Sequence, residues 1–412
     1  MISNSYKDTS FFSPLNHFAD VCKQALKAVP GVKKAFNNFL VDVLLMFALL
    51  PGKINFSQLE IYGKYCAKTY GSRFTELFKW EDFNIGLSGF FLGKAGRKAI
   101  IIDQSHISKS GTHTQGIGNF WSGCAQQVKH GLEILGIGLI DIDKKDYLSV
   151  KAVQTPSPKS LAECGLTMVK WYLTCVLNLR DKLIPYSRYV VADAYFAVYD
   201  FVSGLVEHGF HMVGRLRSDA DMMYLYGGGP TGKRGRPRAY DGKIDFENLD
   251  MSKVEKVRIF PEEGDFYTTI AYSKSLKRNV RLVIFKPSAG KHILYFSTDV
   301  NMSAKNVVEY YRTRFQIEFC FRDGKQYTGL CDCQARDFAR LDFAFNASLA
   351  AVNVAKVVIR QEYPTFSIAN LKSLLYNCYV MKRFFALSGF RPNKSLNAKI
   401  FKELSNIAAR AA

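Results

Sequence analysis

Two short apolar stretches, each followed by an aspartate, decide the fold of this chain: Lys98-Ala-Ile-Ile-Ile-Asp103 and Arg188-Tyr-Val-Val-Ala-Asp193. Uninterrupted β-branched residues over so short a length predict buried strands. Ligands of open α/β sheets gather at the carboxyl ends of the strands, so both aspartates are placed for a site. Taken singly, either aspartate is equally well explained as a turn former or a helix cap.

The elements around these stretches predict an α/β fold in which a mixed sheet is flanked by helices. Three strands in quick succession are typical of an antiparallel meander, and the helices and strands that follow alternate. The predicted strands lie at 98–102, 133–141, 147–154, before Asp193 and at 211–217, and the predicted helices lie at 160–181 and 196–208.

A third acid lies in the run EYYRTRFQIEFCFRDGK, which contains the spacing Tyr311-x2-Arg314-x3-Glu318-x6-Lys325. An α-helix has about 3.6 residues per turn, so residues three, seven and fourteen positions after Tyr311 point in nearly the same direction as Tyr311. The spacing therefore predicts one helix face that carries all four side chains. Such a face suits a phosphate near a metal ion. The alternative is a surface ion pair between Arg314 and Glu318, worth about 0.3 kcal/mol.

The three acids and this spacing resemble the DDE transposases of the insertion sequence 4 type, which carry a Tyr-Arg-Glu-Lys signature around their third acid. The resemblance covers roughly residues 95–350. It implies a ribonuclease-H-like catalytic domain in which Asp103, Asp193 and Glu318 form the acidic triad, with the first two at one sheet edge and the Glu318 helix closing the site. Tyr311, Arg314 and Lys325 would then complete the signature at the family spacing.

Three carboxylates in one cleft repel one another unless a cation compensates them. Oxygen ligands favour hard ions, and two Mg²⁺ or Mn²⁺ ions can stabilise the entering and leaving oxygens of a phosphoryl displacement. We therefore predict that Asp103 bridges two divalent ions, while Asp193 and Glu318 each complete one of them.

The same site predicts contacts with DNA. Arginine and lysine would hold phosphates beside the cut, and the tyrosine would pack against a sugar or an unstacked base. A second basic segment lies at 227–238. It contains Arg234-Gly-Arg-Pro237, which resembles the core of an AT-hook. A merely solvated basic loop is the alternative there. The predicted DNA contacts are Tyr311, Arg314, Lys325, Arg234, Arg236 and Lys109.

The sequence divides into five predicted parts. They are a helical, DNA-end-binding domain at 1–95, the first part of the catalytic core at 96–217, a β-rich insertion with a basic loop at 218–300, the second part of the core at 301–362 and a C-terminal helical region at 363–412. In the first part, helices are predicted at 18–29, 32–50 and 57–69, the last opened by a capping box of Ser57 and Glu60. A purely structural role for these helices is the alternative.

Charge and composition limit the class of protein. Lys and Arg number 56 against 36 Asp and Glu, a formal charge of +20, which favours a nucleic-acid partner. The longest apolar run, 40–50, contains Asp42 and is too short to span a bilayer, so no membrane partner is expected. The N-terminus lacks a secretory pattern, and nine scattered cysteines suit a reducing compartment. We therefore expect a cytoplasmic, nucleoid-associated protein.

The resemblance implies a cut-and-paste DNA transposase that cleaves element ends and transfers them to target DNA, working as a homodimer on DNA and using no small-molecule substrate. Two alternatives stay open: a ribonuclease-H-like nuclease without transposition activity, and a non-catalytic or domesticated DNA-binding protein. Trp121 is predicted to be a partly buried packing residue, with stacking against DNA as its alternative.

Overall fold

The structure, a computed structural model, describes residues 13–93, 95–123, 125–229, 237–390 and 393–409. In these ranges the helices are α1 (Ser13–Leu26), α2 (Lys34–Leu49), α3 (Phe56–Tyr62), α4 (Ala67–Arg73), α5 (Trp80–Phe91), α6 (Pro158–Glu163), α7 (Met168–Leu177), α8 (Arg180–Leu183), α9 (Tyr199–Glu207), α10 (Ala304–Thr313), α11 (Phe315–Tyr327), α12 (Phe338–Glu362), α13 (Ile368–Ser388) and α14 (Lys394–Ala409). The strands are β1 (Lys98–Ser108), β2 (Gly118–Ser122), β3 (Gln127–Asp141), β4 (Asp146–Gln154), β5 (Tyr189–Val191), β6 (His211–Leu216), β7 (Met222–Leu225), β8 (Tyr240–Lys243), β9 (Glu255–Val257), β10 (Gly264–Ser273), β11 (Arg278–Pro287) and β12 (Ile293–Ser297).

The described strands form one mixed sheet with helices on both faces. Its order is β2-β3-β1-β5-β6-β12-β11-β10-β7-β8, with β4 beside β3 and β9 beside β10. β1 is antiparallel to β3 and parallel to β5, and β5 is parallel to β6. The predicted α/β class, with a mixed sheet flanked by helices and helices at the N-terminus, is therefore confirmed.

Strand β1 is longer than the sequence predicts. It does not end at Asp103 but continues to Ser108, because β3 pairs with it as far as Gly131. What does end near Asp103 is the parallel partner, since β5 stops at Val191, opposite Ile101. Asp103 therefore lies where the neighbouring strand leaves the sheet, rather than where its own strand ends.

The long helix predicted at 160–181 is wrong, because three short helices, α6, α7 and α8, occupy this segment. Gly165 follows α6 with a φ of +67°, a left-handed conformation that ends a helix. The hydroxyl of Thr167 then accepts a hydrogen bond from the backbone N–H of Lys170 at 3.2 Å and begins α7.

The capping box predicted at Ser57 is also wrong. Helix α3 begins one residue earlier, and the side chain of Asn55 accepts the capping bond from Gln58 N at 2.9 Å. The helix ends at Gly63, where a side chain would collide with the Tyr70 hydroxyl. The predicted helix at 57–69 is consequently split into α3 and α4.

The strands after residue 218 extend the central sheet. β12 pairs antiparallel with β6, and β11, β10, β7 and β8 follow outward in turn. The strands predicted at 256–260, 265–271, 280–285 and 292–297 correspond to β9, β10, β11 and β12. Their pairing gives the sheet a wide surface beside the two aspartates.

Helix α12 is long and apolar enough to cross a membrane, but 83% of its most apolar window is buried inside the protein, as in the core helix of a soluble protein. It packs against α1, α2, α5 and β4. The N-terminal helices and the sheet thus share one hydrophobic core.

Two asparagines of α12 cover the backbone edge of β4 that faces away from β3. The amide of Asn353 accepts from Ser149 N at 3.1 Å and donates to Ser149 O at 2.7 Å. Asn346 makes the same pair of bonds with Ala152, both at 2.9 Å. A side-chain amide here replaces the hydrogen bonds of a missing neighbouring strand.

Another buried polar contact lies between β3 and α7. Glu133 is 3% exposed, and its carboxylate accepts a hydrogen bond from the hydroxyl of Tyr172 in α7. Burial raises the pKa of Glu133, and the Tyr172 hydrogen bond only partly opposes this. The folded protein therefore keeps a proton here that the unfolded chain releases.

We expect Asn353→Ala to lower the free energy of unfolding by about 1–3 kcal/mol for each buried backbone group left unpaired. Urea unfolding followed by circular dichroism measures this. Asn38 is exposed on α2, and Asn38→Ala should change the stability by no more than about 0.5 kcal/mol. Equal stability of the two variants would contradict the role given to Asn353.

We expect Glu133→Gln to become progressively more stable than the wild type as the pH rises above 4.5, the ordinary pKa of the side chain. The raised pKa stabilises the folded wild type only while the carboxyl holds its proton, and this contribution is lost as the pH rises through the folded pKa. Glutamine cannot ionise and still accepts the Tyr172 bond. Unfolding free energies from pH 4.5 to 8 test this, with exposed Glu163→Gln as the control, which should follow the wild type.

Candidate active site

Two acids lie on adjacent parallel strands. Ile101 of β1 pairs with Val191 of β5, and each aspartate lies two residues further on, so Asp103 and Asp193 reach the same level of the same sheet face. Asp193 also accepts a hydrogen bond from Tyr195 N at 3.0 Å and caps a short 3₁₀ turn. Asp193 is therefore a helix cap, as the alternative interpretation predicted, and it also lies beside Asp103.

The third acid comes from a helix that is interrupted. α10 ends at Thr313 and α11 begins at Phe315. The prediction that one uninterrupted helix carries the side chains from Tyr311 to Lys325 is therefore wrong. Arg314 N donates to Tyr311 O at 3.0 Å and Ile317 N to Arg314 O at 3.2 Å, which are the i→i+3 bonds of a tightened turn. This turn lies directly before Glu318.

The guanidinium of Arg314 joins two of the acids. It donates to Asp103 Oδ2 at 2.7 Å and to Glu318 Oε1 at 2.6 Å. The Arg314 and Asp103 side chains are only 16% and 12% exposed. The predicted ion pair between Arg314 and Glu318 thus exists, but it extends to a buried acid of the sheet and is no simple surface pair.

Burial sets the protonation of the two aspartates. It is the main cause that raises the pKa of Asp103 to about 7; Arg314 opposes the rise, and the carboxylates of Asp193 and Glu318 add to it. Burial likewise raises the pKa of Asp193, against the effect of Arg314. The site holds more negative groups than a single guanidinium compensates.

The donor set suits a hard divalent cation, because it consists of carboxylate oxygens and is short of positive charge. Within the described ranges, no three His, Cys, Asp or Glu side chains converge closely enough to hold a metal ion. The Arg314 guanidinium lies between Asp103 and Glu318 and donates to both. The donor chemistry suits a divalent ion, but Asp103 and Glu318 are bound to a guanidinium in this structure, and a metal-binding role of the three acids stays a prediction.

Arg215 and Tyr295, which the sequence did not indicate as site residues, lie on the neighbouring strands at the same level of the sheet as Asp103 and Asp193. Arg215 lies two residues after Val213, the partner of Val191, and pairs directly with Tyr295 of β12. The Tyr295 ring packs on Tyr311, with ring centroids 5.2 Å apart. In the part of the chain that the structure describes, the exposed Arg215 side chain forms no ion pair. No local signal in the sequence could have found it, because its place depends on the registers of β5 with β6 and of β6 with β12.

The remaining predicted DNA contacts lie in different surroundings. Lys325 Nζ donates to His106 O at 2.9 Å, near the end of β1. Lys109 Nζ donates to the carbonyls of Cys333 at 2.6 Å and Ala335 at 3.0 Å. Arg234 and Arg236 lie outside the described residues.

A comparison with protein families bears on this site. No curated protein matches the chain. A family model described as the transposase DDE domain matches residues 173–354, a segment that includes Asp193 and Glu318 and begins after Asp103. This segment, with the second and third acids and the strands between them, is therefore similar to a transposase DDE domain.

Proposed function

We propose that this protein is a cut-and-paste DNA transposase of the insertion sequence 4 type, which cleaves the ends of its element and joins them to target DNA. The observation that carries the proposal is the meeting of Asp103 and Glu318 on one guanidinium, with Asp193 beside Asp103. The match to a transposase DDE domain supports it, and DNA is the partner that such a domain implies.

In the proposed reaction, water attacks the phosphorus of the scissile bond, and the 3′ oxygen leaves with a proton as a hydroxyl. That 3′-hydroxyl then attacks a phosphorus of the target DNA, forming one phosphodiester bond and breaking another. Two Mg²⁺ or Mn²⁺ ions, when bound, would stabilise the entering and leaving oxygens. Asp103, Asp193 and Glu318 would hold them.

The cationic side chains of the site have a separate task. Arg314 is tied to carboxylates in the absence of other cations, and its release would free a buried guanidinium for a DNA phosphate. Arg215 is already exposed at the same level of the sheet, beside Tyr295. We infer that Arg215 and Lys325 bind phosphates on either side of the cut, while Tyr311 packs against a sugar or base.

A homodimer is part of the proposal. Each chain has one set of three acids, whereas transposition joins two element ends to one target. The five-part organisation predicted above, with DNA-end binding by residues 1–95, likewise remains a prediction. The basic balance of the chain, +20, suits contact with several stretches of DNA.

We expect Glu318→Gln to abolish Mg²⁺- or Mn²⁺-dependent nicking of labelled DNA carrying the element's own ends, while DNA binding persists. The substitution removes one carboxylate and nearly preserves shape, so at least a hundredfold loss of cleavage rate is expected from a residue that holds a reacting group in place. Gel analysis of cleavage and a mobility-shift assay measure the two effects.

Glu362, exposed at the end of α12, supplies the matched control. Glu362→Gln should cleave like the wild type. Equal cleavage by the Glu318 and Glu362 variants would overturn the triad. Binding without cleavage by the wild type would favour a non-catalytic DNA-binding protein, and cleavage of branched or hybrid substrates in preference to element ends would favour a nuclease.

We expect Arg314→Ala to bind Mn²⁺ about tenfold more tightly than the wild type, because the cation no longer competes with charge-assisted hydrogen bonds to Asp103 and Glu318. Electron paramagnetic resonance of free Mn²⁺ measures the affinity, and Mn²⁺ should also raise the melting temperature of this variant more than that of the wild type.

Arg322, 54% exposed on α11, is the control for this measurement, since its ion pair with Asp323 lies outside the acid cluster. Arg322→Ala should bind Mn²⁺ like the wild type. Weaker Mn²⁺ binding by Arg314→Ala than by the wild type would show that the guanidinium supports the metal site instead of competing with it.

A further inference from the structure

The hairpin formed by β2 and β3 exposes an apolar pair. Trp121 is 56% exposed and Val128 is 61% exposed, and the two residues face each other across the strands. The prediction that Trp121 is a packing residue is therefore wrong. The reason is the length of β3: β1 ends at Ser108, opposite Gly131, so β1 does not flank the earlier residues of β3.

The exposed pair faces the same side of the sheet as the acid cluster. Gly136 of β3 pairs with Asp103, and Val128 precedes Gly136 by eight residues (136 − 128), an even number that keeps it on the same face. Trp121 shares this face as the direct partner of Val128. At about 3.3 Å per residue, the pair lies about 26 Å along the strand from Asp103.

The charge around the pair is suited to a polyanion. From 104 to 132 the sequence contains no Asp or Glu, although acids bound it on both sides at Asp103 and Glu133. The same stretch contains two lysines and three of the seven histidines of the chain. An acid-free stretch with several amides and histidines, which carries an exposed indole on β2, has the composition of a nucleic-acid contact, in which aromatic rings stack on bases.

We propose that Trp121 and Val128 form a second DNA contact, in which the indole stacks on an opened base step about eight base pairs from the phosphate that is cleaved beside the acid cluster, with the duplex running along β3. The spacing follows from about 26 Å at about 3.4 Å per base pair. Apolar side chains that enter a base step unstack it and bend the duplex. The inference rests on the proposed function and adds a place where the bound DNA is deformed.

The three tryptophans make the contact measurable in the full-length protein. Trp80 is 1% exposed and Trp171 is partly buried, whereas Trp121 is open to solvent. Duplex DNA carrying the element's own end should shield tryptophan emission from acrylamide in the wild type. No DNA-dependent shielding is expected in Trp121→Phe, which replaces the only exposed indole among the described residues.

Affinity and base unstacking are measured on the same duplex, with 2-aminopurine placed at successive positions. We expect Trp121→Ala to bind about tenfold more weakly, the low end for loss of one stacked base. The rise in 2-aminopurine fluorescence about eight base pairs from the cut should disappear in this variant and persist in Trp121→Phe. Phe90→Ala, which removes a 50% exposed ring from α5, is the control and should behave like the wild type.

The outcomes separate this inference from the proposed function. If Trp121→Ala matches Phe90→Ala in affinity and fluorescence while Glu318→Gln loses cleavage, the hairpin contact is wrong and the proposed function stands. Shielding of Trp121 that depends on protein concentration and not on DNA would instead assign the pair to a contact between copies of the chain. A wild-type protein that neither binds nor cleaves DNA would overturn both.

Discussion

The bridge from Arg314 to Asp103 and Glu318 is the interaction on which the candidate site depends. It joins a strand of the sheet to the helix that crosses it, although Arg314 and Asp103 are separated by 211 positions in the sequence. It also compensates the buried Asp103, whose pKa burial raises to about 7 even with the guanidinium in contact. Removing the guanidinium would leave buried carboxylate charge uncompensated, which is costly.

The bridge requires α11 to lie directly on the sheet. Gly136 on β3 makes this possible, because a Cβ there would meet the Phe321 ring, with Cε1 at 2.9 Å, and approach Ile317. Phe321 follows Glu318 by nearly one helical turn. The close packing of Phe321 on the sheet therefore fixes the distance of Glu318 from the sheet. The tightened turn at Arg314 then directs its side chain toward β1 while α10 continues over β12 and Tyr295.

The sequence was most informative where the signal is local. Apolar stretches ending in Asp103 and Asp193 predicted the fold class, and the spacing around Glu318 singled out the helix that meets them. Pairing of distant segments was beyond such signals: the continuation of β1 depends on β3, and the place of Arg215 depends on two strand registers. The predicted capping box was wrong for a related reason. Asn55, and not Ser57, caps α3, and the end of this helix depends on the contact of the Tyr70 hydroxyl with Gly63.

The continuous sheet explains how acids and a polyanion can share one surface. Across one level, the side chains change from Asp103 and Asp193 to Arg215 and then to Tyr295, as the strands pass from β1 to β12. Under the proposed function, a DNA strand crossing this row would meet carboxylates over β1 and β5 and the exposed Arg215 guanidinium over β6, whereas Tyr295 is buried at 5% exposure. Because β6 and β12 belong to the same sheet, the negative and positive parts of the surface keep a constant separation, which a flexibly attached domain would not provide.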